Sequence, residues 1–296
     1  VWGDPGAIIY PRSSCKMIQA LPLVESGAAD AAGLTDTQLA LSCASHQGAA
    51  LHVEATGRWL AGLGLGEADL RCGSHEPYDR DERNRLIRAA EGPCQLHNNC
   101  SGKHCGFLTT TQHMKAGPDY VELDHPLQRA IRQATEEVTG ESVAGFGIDG
   151  CSAPNFAMSL AGLARAMQTF AAARDTGDGR QRAMARLRNA MAAHPEMVAG
   201  EGRACTELMR AMGGGVAIKT GAEAVFVAMI PEQKLGIAIK IADGGTRAAE
   251  AVVVALLVRL GVLEAAHPMA QKRLPGVQRN WRGIETGELR LAEGFA

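Results

Sequence analysis

The pattern of apolar residues changes at Gly213-Gly214-Gly215, and this change limits the fold class more than any other feature of the sequence. Before it, apolar residues recur with helical periodicity in five segments, and Thr35 with Gln38 has the form of a capping box. The five segments are 53–63, 81–90, 126–138, 160–173 and 180–193. After it come three short apolar runs rich in β-branched residues, at 216–219, 224–230 and 235–241. This order predicts an α+β fold with an antiparallel sheet flanked by helices.

We expect one domain over residues 1–296, because a chain of this length can bury a core without disulfides or metal. Its helix-rich portion spans about 17–212, and the C-terminal sheet and helix span about 213–262. The segment 248–260 is apolar on most faces, which predicts a helix buried against the sheet.

The charge balance bears on possible partners. Lys plus Arg is 30 and Asp plus Glu is 32, which gives a net charge of −2 without long blocks of one sign. This argues against a nucleic acid or a membrane surface as partner. The longest strongly apolar run, 251–258, is far shorter than the roughly 18 residues of a membrane helix. A core rich in glycine and poor in aromatic residues favours a homodimer.

The eight cysteines include no CxxC pair, which predicts reduced thiols and a cytoplasmic protein. The sequence starts at Val1, with neither an initiator Met nor the regions of a signal peptide. We therefore expect an N-terminal piece to be absent from it.

Ser13 and Lys16 form an SxxK motif after Pro11. Residues three apart on a helix share a face, so the lysine could activate the serine as a nucleophile. The alternative is a serine that caps a helix, followed by a surface lysine.

Lys219-Thr220-Gly221 ends the first predicted strand of the C-terminal sheet. SxxK early and KTG late is the arrangement of penicillin-recognising serine hydrolases, in which a backbone N–H just past the KTG completes the oxyanion hole. Here that donor is Ala222.

The SDN motif of β-lactamases is missing from the sequence, and Ser45 in Cys43-Ala44-Ser45-His46-Gln47 is the candidate second serine. Its alternative role is as part of a polar cluster at a helix C-terminus, where His46 interacts favourably with the helix dipole.

Five motifs in order resemble the rhizobial-type L-asparaginase family, over almost the whole chain. They are Ser13-x-x-Lys16, Cys43-Ala44-Ser45-His46, Asn99-Cys100-Ser101-Gly102-Lys103-His104, Asp149-Gly150-Cys151 and the run from His194 to Arg203. The resemblance implies a β-lactamase-like fold of the transpeptidase type and hydrolysis of L-asparagine to aspartate and ammonia. Because family members carry a strand hairpin before the segment that starts at Gly3, it also implies that one or two N-terminal strands are missing here.

The resemblance further implies two Ser-Lys pairs, Ser13 with Lys16 and Ser45 with Lys219. It implies a zinc ion held by Cys100, Lys103 and Cys151 with water, and it places Asp149 close to the substrate. Chemistry alone would nominate His104 as the third ligand, because a lysine must lose a proton before it coordinates. Buried inert thiols are the alternative for the two cysteines.

Asparagine carries an α-ammonium and an α-carboxylate, so a selective pocket needs a partner for each. Asp149 can receive the ammonium, and Arg203 can oppose the carboxylate or else pair with Glu201. We expect asparagine to be preferred over glutamine. The alternatives are a glutaminase or a penicillin-recognising hydrolase of the same fold, and a non-catalytic zinc-binding domain.

Overall fold

The three antiparallel strands predicted after Gly215 are present in the computed structural model, which describes residues 1–295. They are β4 (Ala217–Gly221), β5 (Val225–Ile230) and β6 (Leu235–Lys240), with β5 in the centre. The register pairs Lys219 with Val227, and Val227 with Ala238. Every residue of β5 is buried, as expected for a central strand that is covered on both faces.

A second sheet has the order β1-β3-β2 and is also antiparallel. Its strands are β1 (Ile8–Ile9), β2 (Gly145–Ile148) and β3 (Pro154–Ser159). A hairpin of β7 (Gly276–Arg279) and β8 (Glu285–Leu289) lies near the C-terminus. No pattern in the sequence predicted β2, β3 or this hairpin.

Helices account for most of the rest, and the α+β prediction is confirmed. They are α1 (Lys16–Gln19), α2 (Leu21–Glu25), α3 (Ala28–Ala31), α4 (Asp36–Ser42), α5 (Ala50–Gly62), α6 (Arg80–Ala89), α7 (Ser101–His113), α8 (Pro126–Thr139), α9 (Leu160–Ala172), α10 (Gly179–Ala193), α11 (Pro195–Val198), α12 (Ala204–Ala211), α13 (Thr246–Arg259) and α14 (Pro268–Gln271). Short 3₁₀ segments are Arg12–Cys15, Glu67–Asp69 and Gln95–His97.

The predicted caps explain where several helices begin and end. The Thr35 N–H donates to the Gln38 side chain at 3.0 Å before α4, as the capping box predicts. Pro126 occupies the first turn of α8, and Gly140 ends that helix with a left-handed φ of 66°.

Helices α9 and α13 both pack against β5 and β6. The contact with α9 is so close that a Cβ at Gly236 would clash with the backbone of Gln168. Within residues 1–295, no helix is both long enough and apolar enough to cross a membrane.

The sequence patterns missed α7, which lies at the centre of the molecule. All but its last two residues are buried, so it has no polar face and no amphipathic pattern to detect. It packs tightly on α4, because a Cβ at Gly102 would lie 2.5 Å from the Leu41 carbonyl oxygen. This contact sets the start of α7, which follows Cys100, beside the end of α4, which precedes Ser45.

Candidate active site

Ser13 lies in the 3₁₀ turn Arg12–Cys15, with its side chain partly exposed while Ser14 and Cys15 are buried. The turn is closed by the Ser14 hydroxyl, which donates to the Pro11 carbonyl at 2.7 Å. Arg12 has a φ of 52°, a left-handed value that costs a residue with a Cβ about 1–3 kcal/mol. Such strain is typical of functional turns, and here it directly precedes the candidate nucleophile.

The KTG segment lies directly against this turn. A Cβ at Gly221 would stand 2.7 Å from the Pro11 carbonyl oxygen and 3.0 Å from the Ser14 nitrogen, so only glycine permits the approach. Ala222 follows the strand and is exposed, in a turn whose next two residues, Glu223 and Ala224, have positive φ. The structure therefore brings together the SxxK and KTG motifs, which are about 200 residues apart.

Lys16 is buried at 1% exposure, and its ammonium contacts the second serine motif. Its Nζ donates to the Ala44 carbonyl, to the Ser45 hydroxyl at 3.0 Å and to the Cys100 sulfur at 3.1 Å. None of its hydrogen bonds within the described residues reaches Ser13. The Ser-Lys contact seen here thus joins Lys16 to Ser45, whereas the sequence paired Lys16 with Ser13.

Lys219 is also fully buried, and its Nζ donates to the Thr220 carbonyl at 2.6 Å. Its pKa is lowered from 10.5 to about 7, mainly by burial, with Cys205 opposing this effect and the charge of Lys16 adding to it. Its amine can therefore be neutral near neutral pH. In the described part of the chain it makes no hydrogen bond to Ser45.

Cys100, Lys103 and Cys151 converge beside these lysines, and all three are buried. The Lys103 Nζ lies 2.9 Å from the Cys151 sulfur. The interaction between the two buried cysteines raises the pKa of Cys100, and it lowers the pKa of Cys151, which Lys103 lowers further. Burial lowers the pKa of Lys103, but the two sulfurs outweigh it and raise the pKa above its usual value.

A standard set of metal ligands is not assembled here. Within residues 1–295, no group of three or more His, Cys, Asp and Glu side chains is placed to hold a metal ion. The two cysteines would need the Lys103 amine as their third partner. His104 forms its Nδ1 hydrogen bond with Tyr120 at 2.9 Å.

Asp149 is bound to Arg12, a residue that sequence reasoning missed. The Arg12 guanidinium donates to Asp149 Oδ1 at 2.9 Å and also pairs with Glu223 on the β4–β5 turn. Arg12 therefore links Asp149 to the β4–β5 turn at a position directly before Ser13. Its position directly before the SxxK serine was the signal available in the sequence.

Arg203 precedes α12 and is partly exposed, close enough to Lys219 to help lower the pKa of that amine. The suggested pairing of Arg203 with Glu201 is wrong, because the Glu201 carboxylate receives hydrogen bonds from Arg210 at 2.7 and 2.8 Å. Arg210, about two helix turns after Arg203, pairs with Glu201 instead, and Arg203 is left near Lys219.

His46 links the serine and cysteine segments. Its Nε2 lies 2.9 Å from the Ser101 hydroxyl, and its Nδ1 accepts the Gly48 N–H at 3.1 Å. The sequence placed His46 only as part of a helix-end cluster, but it connects the loop of Ser45 to the first turn of α7.

Within the described residues, the α+β fold brings the buried Lys16 to Ser45 and places the KTG segment against the turn of Ser13. The family described as L-asparaginase II matches residues 1–291, and the chain belongs to that family. It is therefore an amidohydrolase of the L-asparaginase class, and the resemblance seen in the sequence is confirmed. A comparison with curated proteins found no match.

Proposed function

We propose that this protein hydrolyses L-asparagine to L-aspartate and ammonia through an acyl-enzyme on Ser13. The observation that carries the proposal is the 3.0 Å hydrogen bond from Lys16 to Ser45, because it joins two sequence motifs in one buried site. The close approach of Gly221 to the Ser13 turn adds the third motif. Of the two serines, Ser13 is the more accessible to a substrate, since Ser45 is only 7% exposed.

In the first step, the Ser13 oxygen attacks the side-chain amide carbon of asparagine and its proton passes to a neighbouring amine. The C–N bond then breaks, the nitrogen takes up a proton and ammonia leaves. In the second step, water attacks the ester carbon, the C–O bond to Ser13 breaks, and aspartate is released. The Ala222 N–H, with that of Ser13, would stabilise the oxyanion in both steps.

Lys16, Ser45 and Lys219 would move the protons. The Lys16 amine has acceptors in Ala44, Ser45 and Cys100, and we assign it the donation of a proton towards the leaving nitrogen through Ser45. Lys219 supplies an amine whose pKa of about 7 lets it accept a proton near neutral pH. Lys16 can act as the base for Ser13 after it has donated its own proton.

Asp149, Arg12 and Arg203 would select the substrate. The Asp149 carboxylate can receive the α-ammonium of asparagine, which then replaces part of its ion pair with Arg12. We assign the partly exposed Arg203 to the α-carboxylate, with Arg12 as a second candidate guanidinium. A pocket with charged partners for both groups holds the amide at one distance from Ser13.

The buried donors Cys100, Lys103 and Cys151 fit a zinc ion that has water as its fourth ligand. They are two sulfurs and one nitrogen, and the 2.9 Å contact between Lys103 and Cys151 supports the site by placing two of the three donors together. Zinc held there would polarise a bound oxygen and provide positive charge beside the substrate. Lys103 would have to give up its proton on binding the metal.

The order of the motifs along the fold also supports a β-lactamase-like arrangement in one domain over residues 1–296. We further propose a cytoplasmic homodimer, because all eight cysteines are free and several apolar side chains of β1 and β2 are exposed. Sedimentation analysis of the purified chain tests the dimer, and a monomer at micromolar concentration would contradict it.

Ammonia release tests the function directly. We expect release from asparagine, much less from glutamine, and no turnover of the β-lactam nitrocefin. Equal rates with the two amides would make the protein a glutaminase-asparaginase, and nitrocefin turnover would favour the penicillin-recognising alternative. Zinc binding without ammonia release from any amide would favour a non-catalytic zinc-binding domain.

A further inference from the structure

The side-chain amide of Asn155 contacts the main chain of Arg12, the residue directly before Ser13. Asn155 lies on β3 and is only 3% exposed. The Arg12 N–H donates to Asn155 Oδ1 at 3.2 Å, and within residues 1–295 it has no other acceptor. The Asn155 Nδ2 group lies 3.5 Å from the Arg12 carbonyl oxygen. One side chain therefore meets both main-chain polar groups of Arg12, as the backbone of a paired strand does.

The backbone conformation of Arg12 explains why this contact matters. Its φ of 52° lies in the left-handed region, which is strained for a residue that carries a Cβ. Such strain persists only where the surrounding structure holds the residue in place. The Cys15 thiol donates to the Arg12 carbonyl at 3.1 Å, but it belongs to the same turn. In the described part of the chain, Asn155 makes the main-chain hydrogen bonds of Arg12 that come from outside this turn.

The hairpin that carries Asn155 also holds the side chain of Arg12. Asp149 lies in the loop between β2 and β3, and its Oδ1 accepts the Arg12 guanidinium at 2.9 Å. The loop has its own hydrogen bonds, because the Asp149 N–H donates to the Ala153 carbonyl at 3.0 Å and the Gly150 N–H donates to Asp149 Oδ1 at 2.8 Å. One hairpin therefore fixes both the main chain and the guanidinium of Arg12.

We propose that Asn155 is a positioning residue, whose amide holds Arg12 in the left-handed conformation and thereby sets the position of the Ser13 oxygen. Ser13 follows Arg12 directly, so a change in the backbone dihedrals of Arg12 displaces the serine. On its other side the turn is limited by Gly221, which lies against the Pro11 carbonyl. The catalytic part of this inference rests on the proposed function, whereas the contact between Asn155 and Arg12 does not.

Hydrogen exchange of the purified full chain, followed by mass spectrometry, tests the main-chain contact. Asn155→Leu keeps the branching of the side chain and removes its polar atoms, so the Arg12 N–H loses its acceptor. We expect the amides of residues 10–16 to exchange faster in this variant than in the parent. Unchanged exchange there in a folded Asn155→Leu protein would overturn the inference. Asn155→Ala removes the same contacts with a smaller side chain, and it replaces Asn155→Leu if that variant fails to fold.

Asn280→Leu is the matched control for hydrogen exchange. The Asn280 Oδ1 also accepts backbone N–H groups in a turn, from Arg282 at 2.9 Å and from Ile284 at 3.1 Å, but this turn lies in the C-terminal hairpin. The control should leave exchange in residues 10–16 and ammonia release unchanged. Faster exchange of residues 10–16 in both variants would trace the effect to a general loss of stability and overturn the inference.

Steady-state kinetics of ammonia release from asparagine test the positioning of Ser13. We expect kcat to fall about 10–100-fold in Asn155→Leu, because a small displacement of a reacting group is enough for such a loss. KM should stay close to that of the parent, since the Asp149 loop keeps its own hydrogen bonds. An unchanged kcat, or a rise in KM alone, would overturn the inference.

Substitutions at Arg12 separate the backbone effect from a general loss of packing. Arg12→Ala and Arg12→Gly both remove the guanidinium, but only glycine takes the left-handed conformation without strain. Asn155→Leu should therefore lower kcat by a larger factor in the Arg12→Ala background than in the Arg12→Gly background. Equal factors would overturn the inference, because a merely structural role of Asn155 does not depend on this difference. If the parent releases no ammonia, the proposed function fails, while hydrogen exchange still decides whether Asn155 holds the turn.

Discussion

The Lys16 ammonium lies 3.0 Å from the Ser45 hydroxyl, although 29 positions separate the two residues. The same ammonium contacts the Cys100 sulfur at 3.1 Å. One buried lysine therefore joins the SxxK turn, the Ser45 loop and the cysteine cluster. A substitution in any of these three segments should therefore alter the structure of the other two, because a buried charge that loses its partners destabilises the fold.

The first prediction concerns the nucleophile. Ser13→Ala should lower kcat by about 10³-fold or more, because residues that act as a unit in catalysis fail together. The measurement is ammonia release from asparagine at saturating substrate. Ser14→Ala is the matched control, since within residues 1–295 it removes a neighbouring hydroxyl whose hydrogen bond goes to the Pro11 carbonyl, and it should stay within about tenfold of the parent. If Ser13→Ala keeps more than about a tenth of the activity, a loss below roughly 1.4 kcal/mol, Ser45 becomes the candidate.

The second prediction concerns Lys219 and pH. Because burial lowers its pKa to about 7, the fraction of neutral amine increases as the pH rises through that value. The kcat/KM of the parent should rise over the same range, and Lys219→Met should be much less active and lose that rise. Lys272→Met, which changes a lysine paired with Glu207 at the surface, should keep the parent profile. A parent profile flat from pH 6 to 8 would contradict the role given to Lys219.

The lowered pKa of Lys219 also predicts how stability depends on pH. The dependence is opposite to that of a lysine in a salt bridge, whose pKa is raised and whose stabilisation is lost as the pH rises. Below pH about 7 the Lys219 amine is protonated in both states, and above it only the unfolded chain holds the proton. Its contribution to the free energy of unfolding therefore rises between pH about 7 and 10.5. Denaturant unfolding is the measurement. The difference in free energy of unfolding between Lys219→Met and the parent should become smaller over this pH range.

Much of the fold could be predicted from the sequence, because amphipathic helices and the strands after Gly215 carry regular patterns. Helix α7 could not, because burial on every side removes the polar face that a pattern requires. The strands β2 and β3 were missed for a related reason. β3 is buried along its whole length and β2 is largely exposed, so neither alternates between apolar and polar residues.

The sequence predicted which residues form the candidate site better than it predicted the contacts between them. The motifs named Ser13, Lys16, Ser45 and Lys219, but the spacing of Ser13 and Lys16 indicated a shared helix face. In the structure Ser13 lies in a 3₁₀ turn and Lys16 extends inward to residues 28 and 29 positions later. Arg12 was missed because its importance comes from partners far along the chain, Asp149 and Glu223.

The third prediction tests the contact between the KTG strand and the nucleophile turn. In Gly221→Ala the new Cβ would lie 2.7 Å from the Pro11 carbonyl oxygen, so the strand or the turn must move. We expect the free energy of unfolding to fall by about 1–3 kcal/mol. The fractional loss of kcat/KM should be larger than the fractional loss of unfolding free energy. Gly287→Ala is the control, because Gly287 also lies in a strand but has open space around the added carbon. Full activity in Gly221→Ala would show that the contact does not position Ser13.

The fourth prediction concerns zinc. Cys100→Ser and Cys151→Ser should each bind zinc far more weakly than the parent, because the two sulfurs supply most of the affinity in a site with so few ligands. Cys205→Ser, which changes another buried free cysteine, should bind zinc as the parent does. Metal analysis after dialysis is the measurement. The fold should persist without metal, since a chain of this length does not depend on zinc as a small finger does.

The last prediction concerns specificity. Asparagine should be preferred over glutamine in kcat/KM, because one added methylene changes binding by about 1–3 kcal/mol and also moves the amide away from Ser13. Asp149→Ala should raise KM for asparagine, since the α-ammonium loses its carboxylate partner and Arg12 is left without its 2.9 Å contact. Asp30→Ala, which breaks an exposed aspartate–arginine pair with Arg186, is the control and should leave KM unchanged. Steady-state kinetics with both amides decide the matter: an unchanged KM in Asp149→Ala rejects this carboxylate as the ammonium partner, and a KM increase equal in both aspartate variants would trace the effect to a general change in charge.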